Sequence, residues 1–278
     1  MNTANSSDNN FEGTETKKTL YIIKIGGNVI DEEKSLHSFL EVFSSIKEKK
    51  ILVHGGGKIA TAIGDQLGIQ SKYIDGRRIT DDETIDLVTM VYGGLVNKKI
   101  VAYLQSMHCN AIGLSGADAN VLPAKKRPIT TIDYGWVGDV NAGDINTFTW
   151  KLFFDNGLVP VLAPLTHNGG GKILNTNADT MASVLAASLS NLYRVKLIYC
   201  FEKNGVLTDV NKDDSFLHKL DAKTFEALKN KKQLFAGILP KIDNAFDALN
   251  NGAASVLIGN SIYLKQLIKE ESGTKIVL

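Results

Sequence analysis

Six short apolar runs, at residues 20–25, 51–54, 110–114, 158–162, 195–200 and 255–258, alternate with stretches whose apolar residues recur at helical spacing. Runs of that length suit strands, and joining strands through helix-length connections forces them to lie parallel, because a tight hairpin can only join antiparallel neighbours. The sequence therefore predicts an α/β fold, an open, mostly parallel sheet with helices on both faces. Between the first two runs, Leu36, Phe39, Leu40, Phe43 and Ile46 mark a helix with Asp31 as its expected cap, giving a βαβ unit. Thr80-Asp81-Asp82-Glu83 fits a capping box that opens a long helix carrying Ile85, Val88, Val91, Leu95 and Leu104, bent at Gly93-Gly94. Residues 121–140 break the rhythm: Pro123, Pro128, Gly135 and Gly138 surround β-prone pieces such as Thr130-Thr131-Ile132, which predicts a hairpin excursion. Alanine-rich residues 177–190 read as a closely packed helix.

The chain has 278 residues, 44% of them hydrophobic, enough for a sizeable core in one α/β domain or two lobes. Its 31 basic and 30 acidic side chains leave a net charge of +1, so no global field attracts nucleic acid or an anionic membrane. No run approaches the ~18 apolar residues of a membrane span. No signal peptide pattern opens the chain. Cys109 and Cys200 stand alone, without metal-ligand or disulfide spacing, which fits a reducing, cytoplasmic setting. Residues 1–18, rich in Asn, Ser, Thr and Glu, are expected to form a disordered tail.

Lys24 interrupts the first apolar strand, and Lys241 follows Pro240 at the predicted first turn of a helix, where the partial positive charge disfavours a cation. Both positions call for an anion. Glycine turns at Gly26-Gly27, Gly55-Gly56-Gly57 and Gly169-Gly170-Gly171 offer backbone N–H groups that phosphate or carboxylate oxygens can approach closely. These features together suggest phosphoryl transfer.

Other chemistries fare worse. Gly55-x-Gly57-x-x-Ala60 fits a loose dinucleotide fingerprint with Asp75 downstream, but Asp75 belongs to a turn, Asp75-Gly76-Arg77-Arg78, and closes no strand. Gly57-Lys58 and Gly171-Lys172 are each followed by Ile, so no Walker A loop is present. The protein-kinase catalytic loop, the zinc-protease His pair and Gly-x-Ser-x-Gly are missing as well. The five histidines are scattered and read as structural or exposed, His54 least clearly. Arg78 reads either as a solvated loop arginine or as a fork for a carboxylate. Asn175-Thr176-Asn177-Ala178-Asp179 reads first as the cap of the alanine-rich helix, with Asp179 also able to hold lysines in place.

Taken in order, Ile23-Lys24-Ile25-Gly26-Gly27, Val53-His54-Gly55-Gly56-Gly57, Asp75-Gly76-Arg77-Arg78-Ile79-Thr80, Asn175-Thr176-Asn177-Ala178-Asp179 and Gly237-Ile238-Leu239-Pro240-Lys241 resemble the amino-acid kinase family. The resemblance covers residues 19–278. It implies a three-layer α/β/α sandwich, with residues 19–190 as the lobe for an acylated amino acid and 191–278 as the lobe for ATP. It further implies an ATP- and Mg²⁺-dependent kinase that makes an acyl phosphate on N-acyl-L-glutamate in arginine biosynthesis. By resemblance, Lys24 and Lys241 neutralise the transferring phosphoryl group and Asp179 positions both. Gly26 and Gly27 meet phosphate; Gly56, Gly57, Arg78, Asn175 and Asn177 bind substrate; Glu202, Gly205 and Gly237 handle the nucleotide. No protein metal ligands are expected.

Kinases of this family acting on aspartate, free glutamate, carbamate or UMP, and a non-catalytic regulator on the same scaffold, are the alternatives. The segment Phe201-Glu202-Lys203-Asn204-Gly205-Val206-Leu207 departs from the usual Thr-Asp-Val before Gly-Val-Leu. Arg77 stands where the family usually has a leucine, and Gly116-Ala117-Asp118-Ala119-Asn120 is also unusual, so acetyl is the expected acyl group with succinyl as the alternative. Residues 1–18 lack the amphipathic stripe that links dimers into hexamers in arginine-inhibited relatives, so a homodimer without strong arginine feedback is expected.

Overall fold

The computed structural model describes residues 16–278 apart from 75, 76, 210, 213, 232 and 235. Eight strands form the central sheet: β1 (Thr19–Ile25), β2 (Lys49–His54), β3 (Ala111–Leu114), β4 (Val159–Leu162), β5 (Arg194–Phe201), β6 (Lys219–Leu220), β7 (Ser255–Asn260) and β8 (Thr274–Ile276). Their order is β6-β8-β7-β5-β1-β2-β4-β3, and the pairings from β7 through β3 are all parallel. β8 runs antiparallel to β7 and carries β6 parallel to itself at the edge. The helices are α1 (Gly27–Asp31), α2 (Glu33–Ser45), α3 (Gly57–Gln66), α4 (Asp82–Val88), α5 (Asn97–Ser106), α6 (Thr147–Asp155), α7 (Ala178–Leu189), α8 (Ala222–Asn230), α9 (Leu239–Asn250) and α10 (Leu264–Ile268).

Period-two alternation along β1 sorts its side chains between two cores. Leu20 and Ile22 join Met181, Leu185, Ile242 and Ala245 of α7 and α9 on one face. Tyr21, Ile23 and Ile25 join Phe39, Leu87, Ile100 and Leu264 on the other. The result is the three-layer α/β/α sandwich that the pattern and the resemblance led us to expect. Lys24, two residues beyond Ile22, points by the same alternation to the face that α7 and α9 cover. One sheet runs through both halves of the chain, and the halves meet where β1 pairs with β5.

Several local expectations need correction. Asp31 ends the short α1 and does not cap α2; the N-cap is Glu32, without a side-chain bond. Asp81, not Thr80, caps α4, its carboxylate accepting from the Thr84 N–H at 2.9 Å. A one-residue shift frees Thr80 to bond across to the wall described below. The bend expected at Gly93-Gly94 is a π-helical segment, Thr89–Val96, that joins α4 to α5. The excursion does contain a hairpin, but its strands are Ala124–Lys126 and Gly138–Val140, and Thr130-Thr131-Ile132 lies in the irregular stretch between them. Of the expected tail, residues 1–15 lie outside the described part. Lys17 and Lys18 are anchored: Lys17 Nζ donates to the Ser190 carbonyl at 2.8 Å, and the Lys18 carbonyl accepts from Arg194 N–H at 3.0 Å.

Trp150 of α6 is fully buried in the α7/α9-side core and donates its indole N–H to the Val121 carbonyl at 3.1 Å. Trp150→Ala is expected to cost about 3–5 kcal/mol, the usual penalty for deleting a large aromatic from a packed core. A urea midpoint converted to less than about 1 kcal/mol of loss would show that this layer can collapse around the gap.

A candidate active site at the carboxyl ends of the central strands

β1 and β2 end side by side, and each runs into a glycine turn, at a place where open parallel sheets commonly bind ligands. The two turns touch. Gly55 N–H donates to the Ile25 carbonyl at 3.2 Å, and a Cβ placed on Gly55 would lie 3.5 Å from the Gly27 nitrogen. Gly26 spends its own N–H on the Cys200 carbonyl of β5 at 3.2 Å, so that amide is taken up by the scaffold. Gly27 and Gly57 begin α1 and α3, where N–H groups have no acceptor within the helix. Gly56 has φ of 152°, and a Cβ there would sit 2.9 Å from a ring carbon of Tyr92, so only glycine fits. The π-helical segment supplies that tyrosine.

Next to these turns, three distant residues meet. Lys24 of β1 and Lys241 of α9 each place Nζ 2.8 Å from the same oxygen, Oδ1 of Asp179, in the first turn of α7. The two nitrogens are thus no more than twice that distance apart. Lys24 and Lys241 are 8% and 7% exposed, so this is a nearly desolvated cluster. Burial alone would push the Asp179 carboxyl up, but the Lys24 and Lys241 charges outweigh it and hold the group well below the usual carboxylate range. Burial pushes the Lys241 ammonium down, repulsion from Lys24 adds to that, and Asp179 opposes both. Tyr199, the β5 partner of Lys24 in register, donates its hydroxyl to the Asp179 carbonyl at 2.9 Å and lies under Lys241, 5.2 Å from Nζ to the ring centre.

A cleft of about 260 Å³ opens beside this cluster, lined by Gly55–Gly57, Tyr73, Arg77, Arg78, Tyr92, Arg127, Val137, Pro164 and residues 175–178 and 180. That volume is small beside the ~300–1,000 Å³ of pockets for drug-sized ligands, which suits a compact acid. Arg78 is buried and stacked on Tyr73, 4.8 Å from guanidinium carbon to ring centre. It donates to the Gly57 carbonyl and Thr61 Oγ1 at 2.9 Å each, and to Ser71 Oγ. Its alternative reading as a solvated loop arginine is therefore wrong. Asn175 Nδ2 donates to Thr80 Oγ1 at 3.0 Å, its N–H bonds the Trp136 carbonyl at 2.8 Å, and Trp136 N–H bonds the Thr80 carbonyl at 2.6 Å. These bonds stitch three segments into one wall. Asn177 both lines the cleft and caps α7, its Oδ1 accepting from Thr180 N–H at 3.0 Å.

The remaining predicted residues fall elsewhere. Glu202 is exposed at the end of β5, and its charge also reaches Lys241. Gly205 is buried, where a Cβ would meet Thr274 Oγ1 at 2.5 Å; packing, not an open cradle, explains that glycine. Gly237 is exposed, in the short 3₁₀ turn Ala236–Ile238 ahead of α9. The Gly169-Gly170-Gly171 turn is an exposed hairpin tip between Leu165–His167 and Ile173–Asn175, with N–H groups of Gly169 and Gly170 taken by His167 and Asn168 side chains. It offers no anion cradle. His54 is fully buried, and burial pushes its imidazole down to about 4. The neutral ring bonds the Gly55 carbonyl through Nδ1 at 2.7 Å and accepts from Asn97 Nδ2 at 3.1 Å, which makes it a brace for the glycine turn. Tyr73, Tyr92 and Arg127 were not foreseen. Arg127 had one signal, its place in the excursion that breaks the strand-helix rhythm.

Asp179→Asn would leave two buried ammonium groups without their carboxylate, a loss expected to cost about 3–5 kcal/mol at pH 7. The sign of the pH dependence follows. Burial and the Lys24 charge already push the Lys241 ammonium down, and removing Asp179 takes away a charge that opposes them, so the unfolded state binds more protons at that lysine and stability rises with pH. Urea midpoints at pH 7 and pH 9.5 should show the variant's deficit shrinking at the higher pH; a constant deficit would mean that the lysines are not coupled to this carboxylate.

Among the described residues no group of three or more His, Cys, Asp or Glu side chains is placed to hold a metal ion, and no helix is long and apolar enough to cross a membrane. The profile of the amino acid kinase family matches residues 19–260. The chain is 53% identical to the acetylglutamate kinase of Cytophaga hutchinsonii over 93% of its own length and 98% of the relative's. It is 49% identical to that of Bacteroides thetaiotaomicron over 94% and 99%. In solved structures, smu.665 of Streptococcus mutans superposes with a TM-score of 0.77 at 27% identity, over 93% of this chain and 98% of that one. The chain belongs to the amino acid kinase family.

Proposed function

We propose that the protein transfers the γ-phosphoryl group of ATP to the side-chain carboxylate of an N-acyl-L-glutamate, giving an acyl phosphate and ADP. The relatives' name, acetylglutamate kinase, supports this acceptor, and acetyl is the simplest acyl group it can carry. The observation that carries the reading is the single Asp179 oxygen held between two ammonium groups, with its chain neighbours Ala178 and Thr180 lining an arginine-bearing cleft.

A glutamate side-chain carboxylate, with a pKa near 4.3, is already ionised at neutral pH, so the attacking oxygen needs no general base. The obstacle is charge. Two like unit charges ~4 Å apart repel by roughly 4 kcal/mol at an effective dielectric near 20. Lys24 and Lys241 offset that repulsion on the γ-phosphoryl oxygens, and their effect is greatest as the oxygen–phosphorus bond forms and the bond to the bridging oxygen of ADP breaks. Asp179 keeps both ammonium groups fixed and charged. N–H groups of Gly27 and Gly57 add donors on the substrate side, and Arg78, fixed by four neighbours, receives the α-carboxylate. The described residues provide no carboxylate cage for Mg²⁺, which would be held chiefly by the nucleotide's phosphates and would neutralise charge on them.

The described residues that line the cleft all fall within 55–180, which supports residues 19–190 as the acyl-amino-acid half. Residues 191–278 then take the nucleotide, with Glu202 and Gly237 near the approach to Lys241, and Gly205 allowing the segment between them to pack.

With ATP, Mg²⁺ and N-acetyl-L-glutamate, hydroxylamine should trap the product as a hydroxamate, and free glutamate should give far less. Lys24→Ala and Lys241→Ala should each lower turnover ~10²-fold or more, by analogy with loss of an oxyanion donor. Absence of any hydroxamate, or near-normal turnover in both variants, would contradict the assignment.

A further inference from the structure

The cleft carries more positive charge than its proposed substrate uses. Three arginines, Arg77, Arg78 and Arg127, are among its lining residues, and none of the described lining residues is an Asp or Glu. In N-acetyl-L-glutamate one carboxylate reacts and only the α-carboxylate remains to be bound. Arg78, buried and anchored, suffices for that. Arg127 is already neutralised: its Nε lies 3.0 and 3.2 Å from the two Asp139 oxygens, and Nη2 completes the fork. Its guanidinium also lies over Tyr134, 5.4 Å from the ring centre. Arg77 differs from both. It is exposed, it precedes Arg78 on the short strand Arg77–Arg78, and none of the described residues forms an ion pair or side-chain hydrogen bond with it. A guanidinium kept at the rim of a small cleft without a protein partner can make a two-pronged bond to a further carboxylate.

We infer that Arg77 reads a carboxylate on the acyl arm, so that the preferred acceptor is an N-acyl-L-glutamate whose acyl group is itself a dicarboxylic acid joined through one end, of which N-succinyl-L-glutamate is the simplest probe. This rests on the kinase reading above and deepens it. Burial supports the division: Arg78 is buried and fixed against Gly57 and Thr61, as a binder of the glutamate α-carboxylate should be. The acyl arm leaves through the α-nitrogen, away from the reacting end, and Arg77 is the exposed member of the three arginines that line the cleft. The chemistry at phosphorus is unchanged, because the acyl arm takes no part in bond making or breaking.

The test compares kcat/KM for N-succinyl- and N-acetyl-L-glutamate in the whole protein, by hydroxamate trapping, together with calorimetric binding of each acid in the absence of nucleotide. A charge-assisted bond should favour N-succinyl-L-glutamate ~10- to 100-fold in both readouts. Arg77→Leu should collapse that ratio at least ~10-fold, and Arg77→Lys should keep part of it, since a point charge attracts a carboxylate without forking it. The Arg77 side chain is exposed and pairs with none of the described residues, so misfolding of these variants is not expected; unfolding midpoints check that directly. A wild-type ratio at or below one, or a ratio that Arg77→Leu leaves unchanged, overturns the inference while the kinase reading stands. Failure of both acids to yield hydroxamate overturns the two together.

Discussion

Everything in the proposed chemistry depends on one carboxylate oxygen that bonds two ammonium groups. Asp179 Oδ1 joins a strand in the middle of the sheet to the first turns of two helices, and its partners lie 155 and 62 residues away in sequence, counted from Lys24 and Lys241. Two lysines this close and this buried would repel each other, and burial works against the charge on Lys241. The carboxylate makes the pair tolerable and leaves the cluster with a net positive charge. A third anion is what such a cluster favours, and a phosphoryl group passing between two acids supplies it. The position of Lys241 adds to this preference, since a helix N-terminus is an unfavourable place for a cation and a favourable one for an anion.

The fold delivers this geometry by simple means. Alternation along β1 sends Lys24 to the face covered by α7 and α9, and those two helices pack on one another through small residues such as Ala182 and Ala245. Their first turns therefore converge over the end of β1. The glycine turns after β1 and β2 lie close beside it because those strands are neighbours in the sheet.

Much of this was legible before the coordinates. Strand and helix alternation is a periodicity signal that tertiary context reinforces, and the sheet, the hairpin excursion and the alanine-rich helix all follow it. The candidate residues Lys24, Asp179 and Lys241 came from motif resemblance and from the incongruity of buried charge. What the sequence hid were contacts set by the third dimension. Tyr92 meets Gly56 because a π-helical segment rotates the chain between α4 and α5, and no local propensity marks that change of pitch. The cap of α4 moved from Thr80 to Asp81 because Thr80 is committed to the cleft wall. The third glycine turn bonds the amides of Gly169 and Gly170 to its own side chains, which a count of glycines cannot reveal. Arg127 is neutralised by Asp139 across a hairpin whose register could not be read from its composition.

The central claim is that Lys24 and Lys241 act as one device through Asp179, and a double-mutant cycle on phosphoryl transfer measures that most directly. Groups that work as a unit lose most of their effect with the first substitution. The account predicts that Lys24→Ala combined with Lys241→Ala is only slightly slower than either single variant. Losses that simply multiply, as for independent sites, would contradict it.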